Sequence, residues 1–183
     1  PRSTLFPYTT LFRSRQLDNC IWRSFLTSQK KHIVITGDRK SGKSTLLSSL
    51  FDRQMPGITS WAVPKEGVYM KNNSSGEVVR IGRFCSDATG CENLMQPIKD
   101  SFNSTCIAFL ESLADTTAPW ITVDEIGYLE NTSYDYQKAF ERLMNKKRII
   151  MVVRKQDLSF LNWLCSHKDV FLVDLDRPFG NSG

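Results

Sequence analysis

The sequence contains no apolar run near the roughly 20 residues that a membrane-spanning helix requires, so no helical membrane span is expected. No basic start leads into an uninterrupted apolar stretch with a small-residue cleavage site, and no secretory leader is expected in these residues. Histidine is scarce: His32 and His167 are the only two. They form no tight ligand group with the five cysteines, Cys20, Cys85, Cys91, Cys106 and Cys165, none of which makes a C-x-x-C pair. A structural zinc site needs such a grouping. The odd number and irregular spacing of the cysteines also argue against a disulfide framework. Free thiols in a reducing cytosol are expected, with Cys106 on an apolar helical face. Blocks of like charge are missing too. The formal net charge is +5, or +3 without Arg2 and Arg13, and nucleic acid is not indicated. The densest cluster, Lys146-Lys147-Arg148, is expected to end a helix, where cations favour the negative end of the helix dipole. There is no internal repeat and no long linker.

What is present suits one domain of ordinary size, with 40% hydrophobic residues in 183. Residues 4–14 read TLFPYTTLFRS, which looks like one reading frame of a common sequencing adapter. Residues 1–14 are therefore set aside as a scar, and the native start is expected to lie elsewhere. Residues 15–30 form a lead segment and residues 31–177 the domain. Residues 178–183 are a turn-like tail, expected to be a shortened linker to a possible fused or partner domain.

From residue 31 strand-like and helical patterns alternate. Ile33-Val34-Ile35 reads as a short buried strand. Leu46, Leu47, Leu50 and Phe51 recur at helical spacing until Met55-Pro56-Gly57 stops the helix. Two strand-like runs, 67–71 and 77–84, flank Asn72-Asn73-Ser74-Ser75-Gly76 and predict a hairpin. Ile98, Phe102, Cys106, Phe109, Leu110 and Leu113 share one helical face, with Pro97 tolerated at the start. Trp120 to Val123 is a strand, and Tyr136, Phe140, Leu143 and Met144 mark a helix. Residues 149–153 form an apolar strand, 158–164 a short helix and 170–173 a last strand. Continuously apolar strands alternating with helices predict a mainly parallel sheet covered on both faces.

Gly37-Asp38-Arg39-Lys40-Ser41-Gly42-Lys43-Ser44 satisfies G-x-x-x-x-G-K-[ST], the Walker A pattern. Glycines at both ends let the backbone curl so that successive N–H groups face phosphate oxygens. The helix that follows brings its positive end to the same place. Lys43 reaches the β- and γ-phosphates as a point charge, the Ser44 hydroxyl takes one Mg²⁺ position, and Thr45 is placed at the α-phosphate. Arg39 and Lys40 are expected to face solvent. The second constellation is Walker B-like: an apolar strand, Trp120 to Val123, ends in Asp124-Glu125. Asp124 is expected to hold the Mg²⁺ shell, through a water. Glu125, leaving the strand in another direction, is expected to polarise the attacking water. Two acids that merely begin a surface loop are the plainer alternative. Gly127 fits either a close approach to nucleotide or an ordinary turn.

Taken together, GDRKSGKST, the glycine-led hairpin GVYM…EVVRIGRF and VDEIGYLE resemble the THEP-type nucleoside-triphosphatases. These are small RecA-like P-loop proteins that hydrolyse ATP, GTP and other triphosphates with little base selectivity. The likeness runs over residues 31–174 in element order. Its most specific part is Asp124-Glu125-Ile126-Gly127 followed by Glu130. It implies phosphate-loop roles for Gly37, Gly42, Lys43, Ser44 and Thr45 and the acidic-pair roles for Asp124 and Glu125. Members tend to carry an arginine and a glycine at the end of the hairpin, which Arg80 and Gly82 match loosely. Arg83 stands where an aromatic residue is usual, and Tyr128-Leu129 replaces the usual lysine or methionine. Arg80 and Arg83 are the arginines best placed by sequence to approach a γ-phosphate; exposed strand arginines are the alternative. Arg154-Lys155-Gln156-Asp157 faintly echoes a GTPase base-reading motif, but Asp157 equally suits an N-cap.

The expectation is a three-layer α/β P-loop NTPase, RecA-like, with a mainly parallel sheet and an inserted β-hairpin. Its expected activity is cytoplasmic, Mg²⁺-dependent hydrolysis of a nucleoside triphosphate such as ATP or GTP with low base selectivity. The rival readings are a P-loop small-molecule or nucleotide kinase, since the fold does not fix the acceptor, and a regulatory nucleotide-binding module of a larger protein fused to a nucleotidyltransferase.

Overall fold

The computed structural model describes residues 8–51, 55–85 and 95–177. Its strands are β1 (His32–Thr36), β2 (Gly57–Val63), β3 (Gly67–Asn72), β4 (Val78–Phe84), β5 (Met95–Pro97), β6 (Trp120–Ile126), β7 (Arg148–Val153) and β8 (Val170–Asp174). They form one eight-stranded sheet in the order β5-β4-β3-β2-β6-β7-β1-β8. The five strands from β2 to β8 run parallel. β3, β4 and β5 extend the same sheet antiparallel. The hairpin is thus an edge extension joined to the parallel sheet through β2.

The helices are α1 (Tyr8–Ser28), α2 (Lys43–Leu50), α3 (Lys99–Ser101), α4 (Ile107–Ala114), α5 (Tyr134–Lys146) and α6 (Ser159–Ser166). They cover both faces, and the two-residue period of the strands sorts the core between them. Ile33 and Ile35 of β1, with Ile150 and Val152 of β7, pack under α1 and α2 against Ile21, Phe25, Leu46, Leu47 and Leu50. Val34, Met151 and Val153 face the other way, toward Phe109, Leu110, Tyr136, Phe140, Phe160 and Leu161. Every residue of β1 is buried, the pattern of a strand covered on both sides. Among the described residues no helix is long and apolar enough to cross a membrane.

Two elements went unread in the sequence and one expectation needs correction. Most of the lead segment 15–30 is helical: α1 buries Ile21 and Phe25, and Trp22 meets Phe51 and Trp120 edge-on. β2 went unread because Gly-Ile-Thr-Ser-Trp-Ala-Val has no clean alternation, and its second half is only partly covered. Pro97 ends β5 instead of opening a helix. Between α3 and α4 the backbone forms a π-helical stretch, Phe102–Cys106. The sequence carries its cause. Ile98, Phe102, Cys106 and Leu110 are four apart, and each such step drifts by about 40° around an α-helix. A wider turn keeps Phe102 and Cys106 on the buried side. Cys91 and the tail from Pro178 lie outside the described residues.

A buried histidine ties the fold to pH. Burial pushes the His32 imidazole down to about 4, and its Nδ1 accepts the Ile149 N–H at 3.2 Å. Stability from this neutral histidine is present above its ordinary value of 6.5 and is lost as pH falls toward 4.

Candidate active site

The phosphate loop joins the end of β1 to α2. Gly42 caps α2 with φ 91°, a left-handed conformation that glycine adopts without steric cost. Lys43 is 8% exposed, and its ammonium donates to the carbonyls of Gly37 at 2.9 Å and Asp38 at 2.7 Å. Ser44 and Thr45 are exposed in the first turn of α2, and Arg39 and Lys40 are exposed within the loop.

β6 lies two places from β1 in the sheet, with β7 between them. Its carboxyl end still reaches the phosphate loop: the Ser44 hydroxyl donates to Asp124 Oδ1 at 3.0 Å. Burial, reinforced by the neighbouring Glu125, raises the Asp124 carboxyl above its ordinary range, against the hydrogen bond from Ser44. The β6–β7 register shifts between Asp124 and Ile126. Such a bulge re-aims the extra residue, and Glu125 turns to an ion pair with Arg154 Nε. The structure therefore brings Lys43, Ser44, Asp124 and Glu125 together at the carboxyl ends of the parallel strands.

Does this donor set fit Mg²⁺? Mg²⁺ takes hard oxygens at about 2.0–2.1 Å in an octahedron, so adjacent ligand oxygens lie about 2.9 Å apart. The hydroxyl and carboxylate, 3.0 Å apart, match that edge. Among the described residues no group of three or more His, Cys, Asp or Glu could enclose a metal. The remaining positions would fall to phosphate oxygens and water, as is usual for this ion.

The hairpin arginines are a correction. β3, β2, β6 and β7 separate β4 from β1. At about 4.8 Å per strand, Arg80 and Arg83 stand roughly 24 Å from the phosphate-loop strand. Arg80 is bound to the carbonyls of Glu66 and Gly82, and Arg83 is exposed. Asp157 is not an N-cap. Leu158 caps α6, Asp157 accepts from the Asn162 amide at 2.8 Å, and Asn131 Oδ1 accepts the Phe160 N–H at 2.9 Å. The Lys146-Lys147-Arg148 cluster does end a helix, at Lys146, and Lys147 donates to Ala118 O at 3.1 Å.

Three residues that sequence reasoning did not place complete the surroundings. Arg154 follows β7 directly. Asp176, beyond β8, accepts the Asp38 N–H at 2.9 Å and an ion pair from Lys155 at 2.7 Å. Those bonds, Lys155's first, hold the Asp176 carboxyl below its ordinary range. Glu130, 3% exposed, accepts the Gly127 N–H at 2.9 Å and so ties down the turn after the acids. Burial pushes its carboxyl from 4.5 up to about 7. A raised acid stabilises the fold fully below 4.5 and loses that contribution as pH rises through 7, here on the order of 3 kcal/mol. Glu130→Gln removes this titration while keeping an acceptor for Gly127. The melting temperature of the wild type should therefore fall relative to the variant between pH 5 and pH 8. Parallel curves at both pH values would show that Glu130 does not titrate in this window. Pairing the two proteins at each pH cancels the opposite trend from His32.

A phosphate loop leading into a helix, faced by an acid-tipped strand in a parallel sheet, defines a P-loop nucleotide-binding protein. The particular family follows from comparison with known proteins. The NTPase_1 model, described as NTPase, matches residues 32–178, and the chain belongs to this family of NTP-hydrolysing enzymes. The fold is similar to the crystal structure of THEP1 from the hyperthermophile Aquifex aeolicus, with a TM-score of 0.64 and 18% identity, covering 79% of this chain and 89% of that one. It is also similar to the solution structure of a human cancer-related nucleoside triphosphatase, with a TM-score of 0.55 and 18% identity, covering 79% and 88%. No curated protein matches the chain.

Proposed function

We propose that this enzyme hydrolyses nucleoside triphosphates with Mg²⁺ as cofactor and little selectivity for the base. Lys43 and the loop amides from Gly37 to Thr45 bind the phosphates, with Gly42 shaping the loop. Ser44 and Asp124 hold the metal, and Glu125 takes the proton of the attacking water. Bound Mg²⁺ would neutralise charge on the transferring phosphate. The observation that carries this reading is the 3.0 Å approach of Ser44 to Asp124, with Glu125 next in the chain.

Hydrolysis is favoured over transfer to another acceptor by the acid that directly follows Asp124, since a water-activating carboxylate is what hydrolysis needs. Low base selectivity is supported by the loop after β7. Lys155 is bound to Asp174 and Asp176, and Asp157 to Asn162, so neither offers a free fork to a base. The free thiols of Cys20, Cys106 and Cys165 support a cytoplasmic setting.

Phosphate release from ATP, GTP, CTP and UTP, each with and without Mg²⁺, tests the proposal. All four should turn over within about tenfold of one another in kcat/KM, a spread of roughly 1.4 kcal/mol, and only with the metal. A strict requirement for an acceptor molecule would replace hydrolase with kinase.

A further inference from the structure

We infer that Arg154 supplies, from within the chain, the guanidinium that meets the transferring phosphoryl group, and that it exchanges Glu125 for that group as nucleotide is engaged. The inference rests on the hydrolytic reading above and assigns the missing cation of that site.

Position comes first. β7 is the strand between the phosphate-loop strand and the acid strand. In the β1–β7 register Ile35 faces Val152, and continuing it two residues sets Arg154 level with Gly37. On the other side Ile126 faces Val153, and the Arg154 N–H donates to Ile126 O at 2.9 Å, which sets Arg154 level with Gly127. Arg154 therefore stands between the first glycine of the phosphate loop and the glycine after the acids. Gly127 makes room for it: a Cβ there would lie 3.1 Å from Arg154 Cδ.

Chemistry comes second. Arg154 is paired with Glu125, the residue that must accept a proton. The pair holds the guanidinium at the acid strand, where its exposed side chain can pass from the carboxylate to a second anion within its swing. The γ-phosphate spreads its charge over three oxygens and is recognised well by a planar fork of donors. The Arg154 side chain is 49% exposed, so solvent leaves it space to turn. No other described arginine contacts Asp124 or Glu125: Arg80 is bound to hairpin carbonyls, Arg148 lies over Trp120 at the opposite end of β7, and Arg177 pairs with Asp174.

The step balances without further reactants. The water oxygen bonds to the γ-phosphorus as the bond to the β,γ-bridging oxygen breaks. The electron pair stays on the β-phosphate, and the water proton passes to Glu125. Arg154 keeps its proton throughout.

The test uses the full chain with Arg154→Ala and Arg154→Lys, checked for folding by melting temperature. With Arg154→Ala, kcat should fall about 10³-fold, the scale seen for arginines of this role, while KM changes less than about fivefold. Arg154→Lys should recover part of the loss. A second readout separates contact with phosphate from support of Glu125. Nucleoside diphosphate with Mg²⁺ and aluminium fluoride should be trapped as a transition-state analogue by the wild type and released by Arg154→Ala, with diphosphate binding alone unchanged. Trapping by Arg154→Ala, or a loss confined to KM, would overturn the inference. If the alanine protein fails to fold, the lysine protein carries the same two measurements, and full trapping with full turnover there would overturn the need for a guanidinium. Absence of phosphate release from the wild type would instead defeat the underlying hydrolytic reading.

Discussion

Replacing Glu125 with glutamine is expected to leave nucleotide binding intact and to lower phosphate release by about 10²–10⁴-fold, the range a positioned general base contributes. Glutamine keeps the size of the side chain and loses its charge, its ion pair with Arg154 and its capacity to take a proton. Asp124 and Ser44, which sit 3.0 Å apart, are not touched by the change. Affinity for a non-hydrolysable triphosphate therefore serves as the internal control, and the loss should appear in kcat. Turnover at the wild-type rate would remove Glu125 from the reaction.

A second large effect is expected at Lys43. Its ammonium is buried against the Gly37 and Asp38 carbonyls, where it both closes the loop and offers a charge to an arriving phosphate. Lys43→Ala removes the charge and leaves those carbonyls without their donor. Triphosphate affinity should weaken by about 10²-fold or more, the worth of two charge-assisted hydrogen bonds at roughly 1.5 kcal/mol each. Nucleoside binding without phosphates should not change. Lys43→Arg should fail to rescue, because a planar fork does not replace a compact ammonium in a slot this closed. Isothermal titration with a triphosphate and with the free nucleoside would check both statements. Equal affinity of wild type and Lys43→Ala for the triphosphate would place the phosphates elsewhere.

Much of this arrangement can be read in the chain itself. His32 to Thr36 is apolar enough to demand burial on both faces, the glycines at 37 and 42 bracket a phosphate loop, and Val123-Asp124-Glu125 marks a strand that ends in acid. Those signals are local, and local physics governs them. The elements that escaped are made by their neighbours. β2 has no strong pattern of its own and exists because β3 and β6 pair with it on either side. β5 is three residues held by Gly82–Phe84. Arg154 was visible as an arginine after an apolar strand, yet its pairing with a residue 29 positions earlier follows from parallel register, which sequence does not print. Asp176 meets Asp38 from 138 positions away for the same reason. Sequence likeness to the hairpin of other triphosphatases drew attention to Arg80 and Arg83, whereas strand order sets β4 five places from the phosphate-loop strand.

The first described helix has a practical consequence. Phe25 and Trp22 are wedged among Trp120, Phe51 and Phe171, directly above the helix that carries Lys43 and Ser44. A shortened version starting at residue 31, where the strand pattern begins, would strip the roof from that helix and leave a greasy patch facing water. Anyone trimming this protein for crystals or assays should keep the chain from at least Leu17 onward, or expect a sticky product whose lost activity says nothing about its chemistry.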